Sequence, residues 1–138
     1  MNEAQTTDLI NRMVIILSIQ LLVAPGQAND VTAIERQEGA INRKAIGYVY
    51  GFIDSALQAR KEDITDLDKG FQILYHALRN LFPNREQAYI DFLMSNMDDQ
   101  STVLGMLTGG QEYNNFIRDG KEPFGLAKFI FEGRSTSE

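Results

Sequence analysis

Two glycines one helical turn apart, Gly47 and Gly51, constrain the fold of this chain more than any other feature. They lie in the segment 45–57, where apolar residues recur at the three- and four-residue spacing of one helix face. A glycine inside a helix costs about 1 kcal/mol relative to alanine. With Ser55 they form a ridge of small residues, along which another backbone can approach closely. We predict that this ridge contacts another helix, either within the monomer or across a homodimer.

Composition excludes several classes of function. The 138 residues carry a net charge of −6, which argues against an extended nucleic-acid interface. The absence of cysteine excludes disulfides, thiolate metal sites and a cysteine nucleophile. His76 is the only histidine, and its position off the leucine stripe of its helix indicates a surface or half-buried side chain. Without a nucleophile–base pair or a ligand cluster, the sequence predicts no enzyme, no catalytic residue, no metal and no cofactor.

Helical periodicity without a competing strand pattern predicts an all-α protein, a compact bundle of about five to six helices around one long central helix. The central helix is expected from Asp30 or Thr32 to Lys61. The next helix is expected to bury a stripe of large side chains and to end at Phe82-Pro83. That stripe comprises Leu67, Phe71, Leu74, Leu78 and Leu81.

The second half of the chain contains several helix-boundary signals. Asn84 and Gln87 match a capping box, and Asp99 or Ser101 can cap a following short helix. That helix is expected to bury Val103, Leu104 and Leu107 and to stop at Gly109-Gly110, before a further turn that reaches Asp119. Pro123 is expected to open a last helix that buries Phe124, Leu126, Ala127 and Ile130 and ends at Gly133. Residues 134–138 are expected to form a disordered tail.

The N-terminus supports two interpretations. The apolar segment Met13 to Ala24, followed by Gly26-Gln27-Ala28, resembles the hydrophobic core and cleavage site of a secretory signal peptide. Residues 1–28 would then be removed, leaving a helical domain at 29–133 that is periplasmic or secreted. Alternatively, residues 9–24 form a retained, buried first helix. A stable membrane span is not expected, because Gln20 interrupts a segment shorter than the roughly 18 apolar residues usually needed.

The segment Ile46 to Leu57 resembles the Gly-Tyr-[Val/Ile]-x-Gly-x-x-Asp-Ala signature of the Tai family. Its pointed matches are Gly47, Tyr48, Gly51 and Asp54, within a similarity that covers residues 45–97. Members are small periplasmic immunity proteins of type VI secretion systems, and they usually carry cysteines that this chain lacks. The resemblance implies an all-helical, often dimeric protein that inhibits a cell-wall amidase by plugging its cleft.

These observations predict a non-enzymatic protein that binds a protein partner. Tyr50 and Asp54 are the expected contacts, as polar residues at the edge of the glycine ridge; otherwise the contact is expected in residues 100–120. Acidic charge would then speed association with a basic partner. Two alternatives remain: a cytoplasmic adaptor or regulator with its first helix in the core, and a small-ligand carrier with a pocket lined by Tyr48, Phe52 and Phe71.

Overall fold

The computed structural model describes residues 2–23, 34–35, 41–60 and 66–136, and these ranges contain six helices and no strand. In chain order the helices are α1 (Glu3–Val23), α2 (Arg43–Gln58), α3 (Leu67–Leu81), α4 (Glu86–Ser95), α5 (Gln100–Asp119) and α6 (Gly125–Thr136). The expected all-α bundle around a long central helix is confirmed. The central helix is α5, not the expected segment that ends near Lys61, and it lies along the whole of the glycine ridge of α2.

The contact between α2 and α5 is a crossing of two parallel helices built on glycine from both sides. A Cβ added at Gly47 would overlap the carbonyl oxygen of Thr102, and one added at Gly51 would overlap that of Met106. On α5, a Cβ at Gly105 or Gly109 would in turn overlap backbone oxygens of α2. Four glycines therefore allow two backbones to touch where side chains would hold them apart.

α2 begins later than expected. Its N-cap is Asn42, whose side-chain oxygen accepts a hydrogen bond of 3.0 Å from the Ala45 amide. Before it, Glu35 and Ile41 form an isolated antiparallel bridge. The proposed caps at Asp30 and Thr32 and the proposed end at Lys61 lie outside the described residues. The single long helix expected here is thus wrong over its first part, because chain reversal at the bridge precedes the cap.

α1 belongs to the hydrophobic core. Leu9, Met13 and Leu17 lie on one face of the helix and are at most 3% exposed. Gln20, which interrupts the apolar run, lies on that same face and is 2% exposed. The proposed cleavage point after Ala28 lies outside the described residues, but cleavage there would remove all of α1.

α3 begins at its N-cap Asp66, which accepts a hydrogen bond of 2.9 Å from the Asp68 amide. Leu74, Leu78 and Leu81 are buried, as expected. The expectation is wrong for the first turns, because Leu67 is 88% exposed and Phe71 is 48% exposed. The buried face of α3 includes Ile73 and Ala77 instead. Leu67 and Phe71 lie beside this face and line a surface groove.

The capping box at α4 is not formed. Asn84 adopts the left-handed conformation, with φ 69°, and Arg85 takes the N-cap position without a side-chain hydrogen bond to the helix. Asparagine tolerates this conformation better than most residues. Asn84 therefore contributes to the turn through its backbone conformation, and its side chain does not cap α4.

α5 is one continuous helix. Asp99 is its N-cap, as expected, and accepts a hydrogen bond of 3.1 Å from the Thr102 amide. The stop expected at Gly109-Gly110 is wrong, because these glycines lie inside the helix and face α2. The buried face is correspondingly the small-residue one, whereas Leu104 and Leu107 are 47% and 68% exposed.

α6 packs against α1, α2 and α5. It buries Leu126, Ala127 and Ile130, as expected, whereas Phe124 precedes the helix and is 62% exposed. The helix continues to Thr136, beyond the end expected at Gly133. Asn42 ties it to α2 through a hydrogen bond of 2.9 Å from its side-chain nitrogen to the Phe129 carbonyl.

Candidate functional site

A groove of about 490 Å³ runs along the surface between α2 and α3, with Met94 of α4 beside it. The two walls have the same spacing. Besides Gln58, α2 contributes positions 50, 53, 54 and 57, and α3 contributes positions 67, 70, 71 and 74. Each set is an i, i+3, i+4, i+7 stripe, the arrangement that a helix uses to contact another helix.

The floor of the groove is buried and its edges are exposed and apolar. Ile53 and Leu74 are 0% and 6% exposed, whereas Leu67, Phe71 and Met94 are 48% to 88% exposed. Large apolar side chains grouped at the surface commonly mark a binding site in a soluble protein. The groove is therefore the strongest candidate site in the described part of the chain.

Tyr50 and Asp54, the two expected partner contacts, both line this groove. Burial raises the pKa of Tyr50, and the negative charge of Asp54 one turn away raises it further. Asp54 makes no ion pair or hydrogen bond with any side chain in the described ranges. Asp66, the second carboxylate of the groove, already serves as the N-cap of α3.

The expected helix-contact residues lie on the neighbouring face of α2. Gly47 and Gly51 touch the α5 backbone, and the Ser55 hydroxyl lies against Gly110. The ridge is therefore occupied within the monomer by α5. Since Asp54 follows Gly51 by three residues, the crossing fixes the rotation of α2 that turns Tyr50 and Asp54 toward the groove.

A polar network crosses the core on the other side of α2. Tyr48 donates a hydrogen bond of 2.6 Å to Glu112 Oε1 and accepts one of 3.1 Å from Gln20 Nε2. Glu112 Oε1 also accepts the Phe124 and Gly125 amides at 2.9 and 2.8 Å, and Gln20 Oε1 accepts the Leu126 amide at 2.9 Å. Burial raises the pKa of Tyr48 most, and the hydrogen bond to Glu112 adds to the rise.

The hydrogen bonds of this network hold helices together. Its carboxylate satisfies amides at the start of α6, where the helix dipole favours negative charge. The sequence pattern alone indicates neither a role for Glu112 nor a partner for Gln20. The spacing of Gly105 and Gly109 repeats that of Gly47 and Gly51, and this repetition was the signal that could have paired α5 with α2 and brought Glu112 beside Tyr48.

His76 lies in a separate, more polar depression between α1 and α3. Its side chain is exposed, and its neighbours there include Thr7, Lys69, Gln72 and Asn80. The ring contacts Tyr75 edge to face, with ring centroids 6.0 Å apart. The other polar groups that line this depression are the Glu3 carboxylate, the Thr6 and Thr7 hydroxyls, three amides and the Lys69 ammonium. The His76 ring makes no hydrogen bond with any of these described side chains.

Tyr48, Phe52 and Phe71 do not line one pocket. Tyr48 and Phe52 are fully buried and stack with ring centroids 6.2 Å apart, while Phe71 lies in the surface groove. The described residues contain no group of three or more His, Cys, Asp or Glu side chains placed to hold a metal ion. Among the described helices, none is both long and apolar enough to cross a membrane.

Comparison of the chain with protein-family models, curated proteins and solved structures found no match to any of them. Function is therefore inferred from the residues and surfaces described above.

Proposed function

We propose that this protein binds a protein partner through the groove between α2 and α3, without turning over a substrate. The observation that carries the proposal is the exposure of Leu67, Phe71 and Met94 around one groove that also contains Tyr50 and Asp54. Water contact of three large apolar side chains is unfavourable by about 25 cal/mol per Å² of apolar area, so a partner that covers them gains binding free energy. The acidic charge of the chain would speed association with a basic partner.

We also propose that α1 is retained in the functional protein, as the adaptor alternative requires. Its buried face includes Met13 and Leu17, and Gln20 provides hydrogen bonds to Tyr48 and to the Leu126 amide. Loss of α1 would expose the apolar surface that these residues cover and leave Leu126 without its acceptor. The signal-peptide alternative makes the opposite prediction, a mature periplasmic chain that starts at Asn29. Sequencing the N-terminus of the natural protein, purified from separate cell fractions, distinguishes the two.

Inhibition of a cell-wall amidase is a more specific form of the partner-binding proposal. Its support is the resemblance of the α2 segment to the Tai signature, including Gly47, Gly51 and Asp54. Under this hypothesis the amidase should lose activity when the protein is added in equal amount. Unchanged amidase activity at saturating protein would contradict inhibition and leave the groove to another partner.

The experiment for the general proposal is affinity capture from native lysate with matched surface variants. Phe71→Ala should lose the captured protein and Asp54→Asn should retain less of it than the wild type does, because both remove groove contacts. Ile117→Ala is the control, since Ile117 is 62% exposed and does not line the groove. Purified partner should then bind the wild-type protein and Ile117→Ala with equal affinity. Equal binding by all four proteins would show that the groove is not the binding surface.

A further inference from the structure

We propose that the groove between α2 and α3 binds an amphipathic helix of the partner, with a lysine or arginine of that helix paired to Asp54. This inference rests on the proposed function and adds to it the conformation and charge of the bound segment. It is argued from three features of the groove: the spacing of its walls, the space above Gly70, and the Asp54 carboxylate, which pairs with no side chain in the described part of the chain.

The walls favour a helix over an extended segment. An extended peptide usually binds by adding a strand to the edge of a sheet, and the groove walls are helices without a free strand edge. The stripes at positions 50–57 and 67–74 instead form the two sides of a groove in which a third helix can place apolar side chains at i, i+3, i+4 and i+7.

Gly70 keeps the middle of the groove open. The nearest heavy atom to a Cβ added there is Leu57 Cδ1, at 3.9 Å, which is an ordinary contact distance. On α2, by contrast, Gly47 and Gly51 are required by the touching backbone of α5. The helix of α3 would tolerate a larger residue at position 70, so the absence of a side chain leaves space that an incoming apolar side chain can occupy.

The charge of the groove determines which polar residue the incoming helix should carry. Asp54 faces the groove without a cation from any described element around it. Arg43 and Arg85 pair instead with Asp99 and Glu35 respectively. Tyr50 adds a hydroxyl beside Asp54, and the second carboxylate, Asp66, has the same sign. A lysine or arginine at the edge of the apolar face would therefore complement this site.

The test uses two synthetic amphipathic helical peptides with the same leucine face, one with lysine and one with glutamate on the polar face. Binding to the full chain is measured by fluorescence anisotropy at physiological salt. We expect the lysine peptide to bind and the glutamate peptide to bind at least about tenfold more weakly. Asp54→Asn should weaken binding of the lysine peptide about threefold. Glu122→Gln, which changes the net charge equally at an exposed site outside the groove, should leave its affinity unchanged.

Gly70→Leu separates occupation of the groove from loss of the fold. The added side chain fills the groove and has room on α3, so the variant should melt no lower than the wild-type protein and should lose binding of the lysine peptide. Equal affinities of the two peptides, or unchanged binding to Gly70→Leu, would overturn the inference.

Partner capture distinguishes failure of this inference from failure of the proposed function. If Gly70→Leu abolishes capture of the natural partner while neither peptide shows the expected preference, the groove binds a partner that is not a cationic amphipathic helix. If Gly70→Leu captures the natural partner as well as the wild-type protein does, binding through the groove is itself wrong.

Discussion

Tyr48 and Glu112, 64 residues apart, are joined by a hydrogen bond of 2.6 Å from the phenol to the carboxylate. The same carboxylate oxygen accepts two amides at the start of α6. One side chain on α5 therefore connects α2 to α6, and Gln20 extends the connection to α1. The polar groups of four helices thereby satisfy one another at one end of the bundle, which is the condition under which polar groups are tolerated in a core.

Replacing Glu112 should show how much this connection stabilises the fold. Glu112→Ala leaves the Tyr48 hydroxyl and two amides without their acceptor, so the free energy of unfolding should fall by about 2–4 kcal/mol. Glu112→Gln keeps an acceptor oxygen but loses the charge at the helix start, and a smaller loss of about 1 kcal/mol is expected. Chemical denaturation at neutral pH measures both. Glu122→Gln, at an exposed position, is the control, and an Ala variant as stable as this control would contradict the role assigned to Glu112.

The raised pKa of Tyr48 predicts loss of stability in alkali. Its pKa in the folded protein lies above the usual value of about 10, chiefly because the phenol is buried and also because it donates to Glu112. The unfolded chain therefore releases this proton first. The stabilising contribution is complete below about pH 10 and decreases as the pH rises above it toward the folded-state pKa.

Denaturant unfolding across the alkaline range, with tyrosinate followed by ultraviolet absorbance, measures this effect. Tyr48→Phe should be less stable at neutral pH, because it loses two hydrogen bonds, but its stability should fall less steeply above about pH 10. Tyr50, Tyr89 and Tyr113 also have raised pKa values, mainly through burial, so part of the slope should remain. An unchanged slope in Tyr48→Phe would show that another group controls alkaline unfolding.

Asp99 should affect stability at the acidic end. The Thr102 amide, as the largest cause, and Arg43 lower the pKa of this carboxyl in the folded protein. Its stabilising effect is therefore present above the unfolded-state pKa of about 3.9 and is lost as the pH falls through the lower folded-state value. Asp99→Asn keeps an N-cap oxygen without the charge and should flatten the acid side of the stability profile. Asp98→Asn, at the exposed neighbouring position, is the control, and equal acid profiles for the two variants would refute the assignment to Asp99.

The local patterns predicted most of the helices but not what their glycines do. The apolar spacing around Tyr48, the cap at Asp99 and the buried positions of α6 depend on neighbouring residues, so they can be recognised from the sequence. Gly109-Gly110 has the local form of a helix stop, yet α5 continues through it. The helix is stabilised at these glycines by close contact with α2, more than 50 positions away in the chain. A local sequence pattern does not contain that contact.

The candidate site was predicted in part for a related reason. Tyr50 and Asp54 flank the glycine ridge in the sequence, and the rotation of α2 about that ridge places them in the groove. For the opposite wall, the sequence predicts burial, because Leu67 and Phe71 continue the apolar spacing of α3. Periodicity identifies which residues share a face, but it does not show where the neighbouring helix ends and leaves that face uncovered.

The glycine crossing gives the sharpest test of the fold, since the chain contains a matched glycine in an open position. A Cβ at Gly51 would overlap the Met106 carbonyl oxygen and lie 2.7 Å from its Cα, and backbone atoms cannot move aside as a flexible side chain can. Gly51→Ala should therefore destabilise the protein by about 2–4 kcal/mol despite its better helix propensity, and Gly51→Leu should prevent folding. Gly70→Ala, where the nearest atom is 3.9 Å from the added Cβ, should instead stabilise it by about 0.5–1 kcal/mol. Thermal and denaturant unfolding of the two alanine variants should give changes of opposite sign. Equal stabilisation by both would mean that α2 and α5 do not touch at Gly51.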